Sequence, residues 1–144
     1  MADTIQIPDD GLKAFADLCV NPTSTSLYID LFTTEITVNV SNTMATFTKM
    51  NNTDNTTYAQ KVLTAGSWVA AILSSAQGVA TYAAQTWNTF TTMSSATNVW
   101  GYIVSDKTGA DGNLMWACYF EAARPIQYDT ESITITPTFK FGRT

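Results

Sequence analysis

Apolar and polar positions alternate most cleanly near the end of the chain. Ile133, Ile135, Phe139 and Phe141 point one way, and Thr134, Thr136, Thr138 and Lys140 the other. A period of two marks a strand with one dry face and one wet face, so residues 132–141 are predicted as one closing strand. Ahead of it lie two arms, 99–104 and 114–120, dense in aromatic and β-branched residues that favour a pleated, half-buried surface. The polar stretch 105–113 between them holds Asp111-Gly112-Asn113, residue types that can adopt the positive φ a chain reversal needs. Together they predict a long β-hairpin.

In the first arm, strict alternation puts Val99, Gly101 and Ile103 on one face and Trp100, Tyr102 and Val104 on the other. Both faces are apolar, so the strand must be covered on both sides. Two readings stay open, a deeply buried central strand or a contact between subunits. Trp100, Tyr102 and Trp116 are the candidate subunit-interface residues.

Earlier in the chain, residues 1–8 read as an arm or an edge strand that ends at Pro8. Residues 9–20 predict one short helix. Asp9 or Asp10 can cap it, Leu12, Phe15, Ala16 and Cys19 form one face, and Asn21-Pro22 stops it. Residues 26–32 predict a core strand with Leu27, Ile29 and Leu31 inward and Asp30 on the other face, solvated or hydrogen-bonded. Ile36, Val38 and Val40 alternate weakly, 44–50 predicts a short strand with Phe47 inward, 51–57 a polar loop, and 58–63 another strand. Residues 68–76 fit a strand better than a short helix, ended by Gln77-Gly78. Residues 79–90 predict a longer strand with Thr81, Ala83, Gln85 and Trp87 on one face. Loops are predicted over 91–97 and 121–131.

Six to eight short strands behind one helix predict a single all-β domain over 1–144, β-sandwich or jelly-roll-like. The length agrees with one domain, since 144 residues can bury a real core without staples. Threonine, at 25 residues, suits the wet faces of strands, and four Trp, six Tyr and seven Phe argue against a disordered chain.

Charge narrows the partners. The net charge is −5 and the seven Lys and Arg are scattered singly, so no basic stripe awaits a nucleic acid. No apolar run approaches the ~18 residues of a membrane span. Met1-Ala2-Asp3-Thr4 opens without a basic or apolar leader, which predicts no signal peptide and synthesis in a cytoplasm. There Cys19 and Cys118 are expected to be buried thiols, and the Asn-x-Ser/Thr triplets at Asn39, Asn51 and Asn55 unmodified.

Candidate chemistry is thin. With no histidine there is no His-dependent nucleophile and no common His metal site. Neither phosphate-loop motif is present. Asp30 and Glu121 are the candidates for a paired-carboxylate glycosidase, but twelve acidic residues supply such pairs by chance. Asp106, Asp111 and Asn113 offer the hard oxygens that calcium prefers, yet without the spacing of a calcium loop, so a plain hairpin loop is expected. The residues point away from an enzyme and imply no cofactor and no metal.

The order of pieces carries a resemblance. It runs through 11–18, Leu27-Tyr28-Ile29-Asp30-Leu31-Phe32-Thr33, Tyr58-Ala59-Gln60-Lys61-Val62-Leu63 before a Trp, and Ala80-Thr81-Tyr82-Ala83-Ala84-Gln85-Thr86-Trp87. It continues through Asn98-Val99-Trp100-Gly101-Tyr102-Ile103-Val104, Leu114-Met115-Trp116-Ala117 and Ile133-Thr134-Ile135-Thr136-Pro137-Thr138-Phe139. In this the chain resembles a family of small structural proteins of tailed bacteriophages. The likeness covers most of the chain, strongest after residue 98 and weakest over 36–57. It implies a virion component similar to capsid decoration or cement proteins, made in the host cytoplasm and carried on the capsid surface. It further implies the major capsid protein as partner and a homo-oligomer, a trimer by preference. The alternative within virions is a tail or fibre component that binds host-surface glycans. A glycan hydrolase and a non-viral adhesin are the remaining rivals.

Overall fold

A computed structural model describes residues 4–6, 26–50, 58–74, 77–88, 97–108, 111–126 and 131–141. The described residues are all-β, in antiparallel sheets. The helix predicted over 9–20, the loop over 51–57 and Cys19 lie outside them. Among the described residues no helix is long and apolar enough to cross a membrane.

Among the described residues ten strands form three sheets. β1 (Thr4–Gln6), β8 (Leu114–Ile126), β7 (Thr97–Ser105), β2 (Leu27–Phe32) and β3 (Lys61–Leu63) make a five-stranded sheet in that order. β10 (Thr138–Phe141), β5 (Gln77–Thr81) and β4 (Val69–Ser74) make a second, and β6 (Gln85–Trp87) pairs with β9 (Ile133–Ile135). Residues 4–6 thus follow the edge-strand reading, with Ile5 opposite Cys118. β8 runs through Arg124-Pro125, where a loop is predicted. β1 covers it only from Ala117 to Tyr119, so among the described residues Pro125 sits where β8 is an edge and a missing N–H costs least.

The predicted β7–β8 hairpin forms the centre. Leu27, Ile29 and Leu31 point inward from β2, joined by Tyr102 and Val104 of β7 and by Trp116 and Cys118 of β8. Residues of the other two sheets cover this face: Trp87, Ile133, Ile135 and Phe139. Trp116 meets Phe139 at 5.2 Å and Trp68 at 5.9 Å between ring centroids, both in tilted geometries that favour aromatic pairs. Phe32, Ile103 and Ala117 on the opposite face form a second cluster with Val38, Met44 and Phe47. The segment after β2 folds back to provide that cover, so β2 from Ile29 on and β7 from Gly101 on are buried on both sides.

Three predicted elements change form. The closing strand over 132–141 is two strands in two sheets, β9 and β10, because Pro137 lacks a ladder donor and restrains Thr136. Its carbonyl instead accepts the Tyr82 N–H at 2.8 Å. The strand over 79–90 breaks at the same level, into β5 and β6. Gln77, expected after the end of a strand, opens β5 opposite Ser74. The strand over 44–50 is a short 3-10 turn, Met44–Thr46, in which Thr43 and Thr46 cap each other; only Lys49 bridges to Phe32. Phe47 still points inward, 4.9 Å from the Phe32 ring.

Candidate interaction surface

The alternation expected along β7 is interrupted. The β7–β8 register shifts between Val99 and Gly101, the mark of a β-bulge. Val99 consequently joins Tyr102 and Val104 in the inner core, and Trp100 emerges on the opposite face with Ile103. The sequence pattern placed Val99 and Trp100 the other way round. A bulge puts two consecutive residues on one side, which strict period-two reading cannot register.

The three candidate interface residues therefore have different fates. Tyr102 and Trp116 are covered by their own chain, at 4% and 2% exposure. The Tyr102 phenol is held above its ordinary pKa by desolvation and then by the neighbouring Cys118. The Trp116 indole N–H is buried and, among the described residues, has no hydrogen-bond partner. Trp100 alone of the three reaches the surface. It is half-buried, stacked on Tyr119 with centroids 5.7 Å apart and planes at 16°. Both rings rest on the second cluster beside Ile36. Desolvation and then the nearby Glu35 carboxylate raise the Tyr119 pKa.

Asp30 is buried, not solvated, and is the hub of a polar network. The Tyr58 hydroxyl donates to its Oδ1 at 2.9 Å, and Gln60 Nε2 donates to its Oδ2 at 2.6 Å. Lys49 Nζ lies 3.2 Å from the same Oδ2. The Tyr58 hydroxyl also accepts the Leu31 N–H at 2.8 Å. This closes a gap on the outer edge of β2. β3 pairs with Leu27 to Ile29, and the strip at Thr48 and Met50 bonds Thr33 and Leu31, leaving the Leu31 N–H to a side chain. A buried carboxylate needs such partners to remain charged, and a buried N–H needs an acceptor. Burial, then the Asp30 charge, pushes the Tyr58 pKa well up.

Glu121 does not share this site. Asp30 is opposite Ile103, which is opposite Ala117, and Glu121 lies four residues further along β8. Strand geometry puts the two backbone positions more than ~10 Å apart. In the hairpin loop both Asp106 oxygens are taken by Asn113, whose backbone N–H and side-chain Nδ2 each donate at 2.7 Å. Among the described residues no three Cys, Asp or Glu side chains gather as a metal site would require.

The residues that sequence reasoning missed are Lys49, Tyr58 and Gln60 around Asp30, Tyr119 stacked on Trp100, and Glu35, whose charge reaches Tyr119. All except Tyr119 come from the irregular or short-strand region 33–63, where no periodicity signals a partner. Tyr119 could have been found from the hairpin, had the bulge been placed. No protein-family model, no curated protein and no solved structure matches this chain.

Proposed function

We propose that this chain is a non-enzymatic virion protein of a tailed bacteriophage, a decoration protein that binds the assembled capsid and stabilises it. The reading starts from the sequence resemblance. One structural observation carries it further: among the described residues the candidate carboxylates Asp30 and Asp106 are tied up internally, while a half-buried aromatic pair is left at the surface. Asp30 is held by Tyr58, Gln60 and Lys49, and Asp106 by Asn113. Trp100 and Tyr119 stack on a packed cluster, as a rigid aromatic contact requires. Packing of Trp116 against Phe139 brings strands of two sheets face to face, which supports the β-sandwich, jelly-roll-like reading in its sandwich part. The mechanism is linkage: a protein that binds the lattice and not its loose subunits stabilises the lattice by mass action, and symmetric repetition adds avidity. A homotrimer at a junction between capsomers suits that task.

The test is co-sedimentation of purified protein with capsids lacking it and with dissociated capsid subunits. Binding to capsids alone, with a raised capsid melting temperature, is the expected result. Equal binding to loose subunits, or to neither, contradicts the proposal. The second reading, a tail or fibre component that binds glycans, is favoured by the same Trp100–Tyr119 stack, since flat aromatics suit the apolar faces of sugar rings. Retention on immobilised host glycans, lost in Trp100→Ala, would select it.

A further inference from the structure

We infer that the Trp100–Tyr119 stack and the Glu35 carboxylate together form a receptor for an arginine side chain presented by the partner protein. The inference rests on the decoration reading only for the partner's identity, a capsid protein.

Three observations lead to a cation. The first is the aromatic pair itself, two near-parallel rings at 5.7 Å, partly exposed and backed by the cluster of Phe32, Phe47 and Ile103. An aromatic face attracts a cation, and Trp does so best. The second is Glu35, exposed and next in sequence to Ile36, which packs on the same cluster as both rings, and its charge also reaches the Tyr119 phenol. Among the described residues no Lys or Arg pairs with it. The third is how the chain covers its other aromatics. Arg124 lies 4.0 Å over the Phe120 ring and Lys61 5.4 Å over the Trp87 ring. Among the described residues Trp100 and Tyr119 receive no such cation. The unfilled combination is a π-face beside a carboxylate.

Arginine fits better than lysine. Its planar guanidinium stacks on a ring while its fork donates to a carboxylate, and it is less strongly hydrated than an ammonium. The net charge of −5 also favours approach by a basic surface.

The experiment uses the whole chain and needs no capsid. The Trp100 indole N–H signal, assigned with Trp100→Phe, is followed by NMR during titration with N-acetyl-arginine amide and with its neutral isostere N-acetyl-citrulline amide. A saturable shift with arginine, absent with citrulline and at least about threefold weaker in Glu35→Gln, is expected. Equal shifts with both amides, no shift with arginine, or an unchanged affinity in Glu35→Gln would overturn the inference. An arginine-specific response from a protein that fails to bind capsids upholds the receptor and rejects the decoration reading.

Discussion

The ring of Phe32 occupies the place where a side chain on Gly101 would stand. A Cβ there would lie 2.6 Å from Phe32 Cζ and closer still to the Cys118 carbonyl oxygen. Gly101 adjoins the bulge and sits opposite both Phe32 and Tyr119. Its missing side chain lets β2, β7 and β8 close around one aromatic ring. Gly101→Ala must move backbone, not merely a flexible tip. Overpacking ordinarily costs 1–3 kcal/mol, so a loss of about 3 kcal/mol or more is expected. At this chain length that lowers Tm by roughly 10 °C. Thermal unfolding checks it, and an unchanged Tm would mean the three strands are not packed as described.

Asp30 and Tyr58 should behave as a coupled unit. Asp30→Ala takes the carboxylate away from Lys49, Gln60 and the Tyr58 hydroxyl, and loss of a buried charge partner costs about 3–5 kcal/mol. Tyr58→Phe leaves the Leu31 N–H without its acceptor, at about 1–3 kcal/mol. Urea unfolding of both single variants and the double should give a sum clearly larger than the double's loss. Strict additivity would contradict a shared network.

Alkaline pH should destabilise the fold through two tyrosines. An unfolded tyrosine ionises near pH 10. Burial holds the folded-state pKa of Tyr58 and Tyr102 higher. Below pH 10 both states keep the proton and the contribution is fully present. Above it the unfolded chain binds fewer protons, so stability falls as pH rises, by up to ~1.4 kcal/mol per pH unit for each tyrosine. Unfolding free energies between pH 9 and about 11.5 should show that downward slope, shallower in Tyr102→Phe.

Trp100 and Trp116 should separate surface from core. Trp116→Ala empties a site in contact with Phe139 and Trp68 and should cost about 3–5 kcal/mol. Trp100→Ala removes a half-exposed ring and should cost under about 2 kcal/mol while changing the oligomer mass or the capsid affinity. Equal destabilisation by the two would place Trp100 in the core.

Much of the strand pattern was legible because burial imposes a period. Leu27, Ile29 and Leu31 point inward as their spacing predicts. The same signal hid the break at Pro137. Ile133, Ile135, Pro137 and Phe139 are all buried, so the burial phase continues while the chain changes sheets. The face of Trp100 was illegible because a bulge depends on the partner strand's register, which one strand's pattern does not contain. Asp30 was foreseeable as hydrogen-bonded, but Tyr58 and Gln60 lie 28 and 30 residues away and no local rule joins them to it. Over 44–50 the Thr43–Thr46 caps turned the backbone before a strand could form.

The most direct measurement is where the protein sits in purified phage particles. Intact virions, separated heads and separated tails would be labelled with an antibody to this chain and imaged. The decoration account predicts label spread over the head at a regular, symmetric spacing. Label confined to the tail or its tip, or absent from particles, would contradict it.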